Sequence, residues 1–173
     1  MIRKRKIISL YMGAGILPVT IYRGKLYFLF GKEEEDKKWG DFGGGTKRGE
    51  TRFQTAIREG YEELDGLFGS KHQLTQLVNN NYITEIEHDG YAVFIFKIEH
   101  DEKLPIYFKN HHDFIKKHLP ETVLHKTNGL FEKSELKWWS LEEMKRGKHK
   151  FRKFYKDVVD LLIKNAATIK KNV

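Results

Sequence analysis

Ala14 to Ile21 and Lys25 to Gly31 are β-branched and aromatic runs broken by Arg23-Gly24, a pattern that predicts a hairpin. Glu33 to Lys38 is a charged loop, and Trp39-Gly40-Asp41-Phe42 leads into three glycines. From about Thr51 to Leu64 the period becomes helical, with Thr51 or Glu50 near the N-terminus. Gln73 to Ile83 reads as a further strand, polar at Asn79-Asn80-Asn81, and Tyr91 to Ile98 as a strong aromatic one. Pro105 to Leu119 carries a broken helical period through Phe108, His111, His112, Ile115 and Leu119. Adjacent histidines on a helix point in different directions, so His111 and His112 read as surface residues rather than a metal pair. Leu136 to Leu141 is the last strand. From Phe151, apolar residues at 151, 154, 155, 158, 159 and 162 form the stripe of a packing helix.

The helix from Thr51 holds the chemistry. At about 100° per residue, Glu59, Glu62 and Glu63 fall in one sector, while Phe53, Ile57, Tyr61 and Leu64 gather opposite. Like charges at these spacings destabilise a bare helix, so the arrangement calls for a cation. A hard divalent metal that takes oxygen ligands and touches substrate phosphates fits that need.

Composition narrows the setting. A length of 173 residues suits one domain with a real core, and 39% hydrophobic content reads as globular. The absence of cysteine excludes disulfides and thiolate metal sites. Residues 1–12 read as a basic tail before the first core strand; a short signal peptide is the competing reading. No apolar run approaches the roughly 20 residues of a membrane span, so a soluble cytoplasmic protein is expected. A formal charge of +8 favours polyanionic partners. Lys145, Arg146, Lys148, Lys150, Arg152, Lys153 and Lys156 form the densest basic cluster, either the soluble face of a packing helix or an RNA surface. Trp139 could stack on a base, but beside a core strand it reads as core.

Gly44, Glu50, Arg58, Glu59, Glu62 and Glu63 stand at fixed spacing: glycine, five residues, Glu, seven, Arg-Glu, two, Glu-Glu. On these residues the chain resembles the Nudix hydrolase family. The resemblance covers about residues 13–173, with an insertion near 105–120. It implies an α/β (α+β) fold: a mixed sheet sandwiched between helices, a loop–helix–loop catalytic motif and a C-terminal helix. Trp138-Trp139-Ser140-Leu141 resembles the strand-to-helix passage near the end of such domains.

The same resemblance implies Glu59, Glu62 and Glu63 as ligands for Mg2+ or Mn2+, joined by the Gly43 carbonyl. It implies that Arg58 orients Glu59 and that Glu50 braces the loop. The general base is Glu59, Glu62 or a later carboxylate, Glu132 or Glu135. Lys47 and Arg48, in the loop after Gly44, are candidates for meeting substrate phosphates. The implied activity is hydrolysis of a phosphoanhydride in a nucleoside diphosphate linked to another group. Capped RNA, dinucleotide and inositol polyphosphates are alternative substrates, and a non-catalytic nucleotide- or RNA-binding module is the competing class. Two departures stand out: Gly60 replaces an aliphatic residue, and Asp65 stands where the motif closes with glycine. Gly66 is therefore expected to cap the helix one residue late.

Overall fold

The computed structural model describes residues 13–121 and 129–173. The tail at 1–12 lies outside the described residues. The strands are β1 (Gly13–Tyr22), β2 (Lys25–Glu33), β3 (Trp39–Gly40), β4 (Phe42–Gly45), β5 (Tyr82–His88), β6 (Tyr91–Lys97) and β7 (Lys133–Ser140). The helices are α1 (Arg52–Glu63), α2 (Lys71–Asn80), α3 (Leu104–His118), α4 (Leu141–Gly147), α5 (Lys156–Lys164) and α6 (Ala166–Asn172).

The expected hairpin forms through Arg23-Gly24, with Tyr22 opposite Lys25. The central order is β3-β2-β1-β6-β5, with β4 also on β1 and β7 also on β2. The β1–β6 pair is parallel and the others are antiparallel, so the sheet is mixed.

Strand alternation divides the core into two layers. Ala14, Ile16 and Leu29 pack with Ala56 and Ile57 of α1 and Leu74 and Val78 of α2. On the other face, Leu17, Val19, Phe28 and Phe30 pack with Val158, Val159, Leu162 and Ile169. The sheet is sandwiched between helices. Trp139 is core, 2% exposed.

Three local expectations change. Gln73 to Ile83 is not one strand: α2 runs to Asn80 and β5 begins at Tyr82. Ser70 and Gln73 form a reciprocal capping box, and Leu74 and Val78 bury one helical face. His111 is exposed as expected, but His112 is buried beside Phe131. Burial lowers its pKa. The C-terminal stripe begins in 3₁₀ turns at Lys148–Lys150 and Lys153–Tyr155, and Phe154 points outward.

Both departures around α1 have physical causes. A Cβ on Gly60 would overlap the side chain of buried Ile16, so glycine lets α1 lie close against β1. Glycine costs a helix interior about 1 kcal/mol. Here a larger residue costs more. Gly60→Leu is expected to destabilise the protein by about 2 kcal/mol or more, measured by urea denaturation.

The helix ends without slipping. Asp65 N–H donates to the Glu62 carbonyl and Gly66 N–H to the Tyr61 carbonyl, both at 3.1 Å, with Asp65 itself left-handed at φ 51°. This is a Schellman end whose left-handed position holds aspartate instead of glycine. The Asp65 Oδ1 accepts the Phe131 N–H at 2.7 Å, tying the segment before β7 to the end of α1.

Burial pushes the Asp65 carboxyl up to about 7. A carboxyl raised in the folded state gives stability that is full below its unfolded value near 3.8 and is lost as pH rises through about 7. Asp65→Asn keeps the acceptor and tolerates the left-handed backbone. It is expected to stabilise the protein by ~1–3 kcal/mol at pH 8. The gain should vanish below about pH 4 in paired denaturation curves.

Candidate active site

The glycines of β4 run into a turn at Lys47 to Gly49, and α1 starts at a capping box made by Thr51 and Gln54. This geometry hangs the loop on the helix N-terminus. Glu50 fastens it: its Oε2 accepts the Lys47 N–H and the Thr55 hydroxyl, each at 3.0 Å.

Arg58 is the centre of the site. Its Nε and Nη2 grip Glu50 at 2.6 and 2.9 Å, and Nη2 also donates to the Gly45 carbonyl at 2.9 Å. Nη1 reaches Glu59 at 2.5 Å and Glu62 at 3.3 Å. A planar guanidinium with five fixed donors is suited to such a hub. Its hydrogen bonds hold Glu50 down to about 2, and Glu50 and Glu59 hold Arg58 above the ordinary arginine value.

Gly44 lies against the Glu59 carboxyl, where a Cβ would stand 2.6 Å from Cδ. A side chain there would push Glu59 aside. Gly129 takes the corresponding place beside Glu62, 2.6 Å from Oε2 by the same measure. The segment carrying Glu132 therefore passes next to Glu62. The Glu132 carbonyl accepts the Glu34 N–H at 2.7 Å. Glu135 is engaged by Lys32 at 3.0 Å. Lys47 and Arg48 are exposed on the loop.

Glu63 does not join its two neighbours. It lies on the packing side of α1 with Ala56, Ile57 and Gly60, and its Oε2 accepts the Gly43 N–H at 2.8 Å. The same oxygen is 3.2 Å from the ammonium of buried Lys133. Lys133 also contacts Glu33, which Arg152 reaches at 3.0 Å. Nearby, Tyr91 donates to buried Asp41 at 2.9 Å.

Burial pushes Asp41 up to about 7 and Glu63 well above the usual carboxylate range. Burial alone would lower Lys133, but Glu63 and Glu33 outweigh it and leave the ammonium raised. Sequence reasoning missed this buried group. Lys133 lies before the expected strand at Leu136 to Leu141, which in fact begins at Lys133, and Glu33 falls in the expected charged loop, so neither position signalled burial.

The wheel placed three glutamates in one sector; the structure sends Glu59 and Glu62 to Arg58 and Glu63 inward. Among the described residues, no three His, Asp or Glu side chains close a metal shell by themselves. Two carboxylates still fit magnesium, which characteristically takes one or two and completes its shell with water and substrate phosphates.

This architecture is that of the Nudix hydrolases. A C. elegans Ap4A hydrolase structure superimposes with a TM-score of 0.50 at 19% identity, covering 90% of this chain and 96% of that one. RenU, a Nudix hydrolase from M. smegmatis, gives 0.53 at 14% identity, covering 94% and 90%. A bifunctional NMN adenylyltransferase/ADP ribose pyrophosphatase from Francisella tularensis, complexed with AMP and a manganese ion, gives 0.53 at 16% identity, covering 88% of this chain and 41% of that one. At these identities the likeness establishes the fold.

No family model matches the sequence. An uncharacterized protein, L534, of Acanthamoeba polyphaga mimivirus is 44% identical over 61 residues. That match spans 32% of this chain and 20% of the viral protein. Among the described residues, no helix is long and apolar enough to cross a membrane.

Proposed function

We propose that this protein is a Mg2+- or Mn2+-dependent pyrophosphohydrolase acting on a nucleoside diphosphate linked to another group. The observation that carries the reading is the Arg58 hub, which fixes Glu50, Glu59 and Glu62 around one glycine loop. A fold alone does not define an activity; the residues of the site do.

Glu59 and Glu62 would hold the metal. When bound, it would neutralise phosphate oxygens and lower the pKa of a water. The protein supplies the rest. Arg58 fixes the carboxylates before substrate arrives, which spares reorganisation during reaction. Gly44 keeps the loop backbone close to Glu59. Lys47 and Arg48, exposed on the loop, would meet the phosphates of a polyphosphate substrate. Glu59 or Glu62 takes the proton from water, with Glu132 the alternative base. Hydrolysis then yields a nucleoside mono- or diphosphate and the other phosphorylated half.

The test is turnover by the full chain with Mg2+ or Mn2+ on ADP-ribose, a diadenosine polyphosphate, an inositol polyphosphate and capped RNA, followed by product mass. Cleavage within a phosphoanhydride that stops on adding EDTA is the expected result. Binding without cleavage across the panel would replace the enzyme with a nucleotide-binding module. The basic C-terminal cluster does not by itself favour RNA, because Lys145, Lys148 and Arg152 are engaged by Glu142, Asp160 and Glu33.

A further inference from the structure

We infer that Lys133 is a resident cation for Glu63, leaving Glu59 and Glu62 as the only carboxylates of α1 that hold divalent ions. This rests on the metal-dependent reading above and changes which side chains serve it.

The three glutamates meet two different environments. The Glu63 side chain is 4% exposed and that of Lys133 is 1% exposed. Their contact is sealed between α1 and β7. One Glu63 oxygen already receives both the Lys133 ammonium and the Gly43 N–H. Behind it, Lys133 also serves Glu33, and Arg152 supplies a second cation to that carboxylate. Glu33 and Glu63 thus face Lys133 and Arg152, two cations for two carboxylates, while the third buried carboxyl of the group, Asp41, accepts the Tyr91 hydroxyl. An ammonium is a compact point charge with three donors, enough to serve both carboxylates at once.

The outer group has the opposite balance. Glu50, Glu59 and Glu62 share a single guanidinium, leaving a surplus of two negative charges. Lys71 comes no nearer to Glu62 than 4.0 Å. The Glu59 and Glu62 side chains are each 16% exposed, so water and ions reach them. A divalent cation is needed outside and has no vacancy inside. Gly43 belongs to the inner group through its N–H.

Mn2+ binding to the full chain, read from the EPR signal of free Mn2+, tests the division without using activity. Wild type, Glu63→Gln and the double variant Lys133→Met/Glu63→Gln are expected to bind equal numbers of ions with affinities within about threefold, whereas Glu59→Gln and Glu62→Gln each lose about tenfold or more. The double variant removes both charges together and leaves Glu33 with Arg152, so it guards against a folding defect in a singly altered pair. Near-UV circular dichroism confirms packing in each protein. If the Glu63 variants weaken Mn2+ binding as much as Glu62→Gln, Glu63 is a ligand and the inference fails while the metal site stands. If wild type binds no Mn2+, both fail.

Discussion

Glu62→Gln is expected to abolish most turnover while leaving the protein folded. Each tenfold in rate corresponds to about 1.4 kcal/mol of transition-state stabilisation, and a loss of about a thousandfold or more is expected here. The substitution keeps size and an acceptor oxygen for Arg58, which stands 3.3 Å away. It removes the charge that the proposed cation requires. Glutamine keeps the shape of Glu62 and its contact with Arg58, so thermal unfolding should move little. The measurement is kcat and KM on the preferred substrate beside the melting curve. Turnover near the wild-type level would show that the chemistry lies away from this helix. Lost turnover with an unchanged melt is the pattern of a residue that acts on the reaction rather than on the fold.

The site was legible where its chemistry is local in sequence. Gly44, Glu50, Arg58, Glu59 and Glu62 span one loop and about three helical turns, so their spacing alone brings them together. The hairpin and the aromatic strand β6 were legible for the same reason, since period-two runs bounded by turn residues act over short range. The misreading of α2 shows the limit. Ten residues with three asparagines nearby look strand-like until Ser70 and Gln73 are read as a cap and Leu74 and Val78 as one face.

Glu63 shows a different limit. A helical wheel gives its direction but not what waits there, and its partner Lys133 lies far away on β7. Asp65 is similar: its side chain accepts the N–H of Phe131, a partner distant in sequence. Contacts between distant segments depend on sheet register, which local patterns do not fix.

Lys133→Met should therefore be among the most destabilising single changes, at about 3–5 kcal/mol. The methionine fills much of the space, but Glu63 remains buried with only the Gly43 N–H of its two donors, and Glu33 keeps Arg152. A marginal domain stability of about 5–15 kcal/mol makes this a large fraction of the whole. The loss should also depend on pH. Burial already holds Glu63 well above its unfolded value of 4.5, and losing the ammonium, which lowers it, raises the folded value further. Stability of the variant is then retained below the unfolded value and falls as pH increases, making the deficit larger at pH 8 than at pH 5. Urea denaturation at both pH values reads the effect. In a double-mutant cycle, adding Glu63→Gln to Lys133→Met should restore part of the loss, because the second change removes the charge that the first stranded. A loss below about 1 kcal/mol, or no recovery in the double variant, would mean that this ion pair does not hold the helix to the strand.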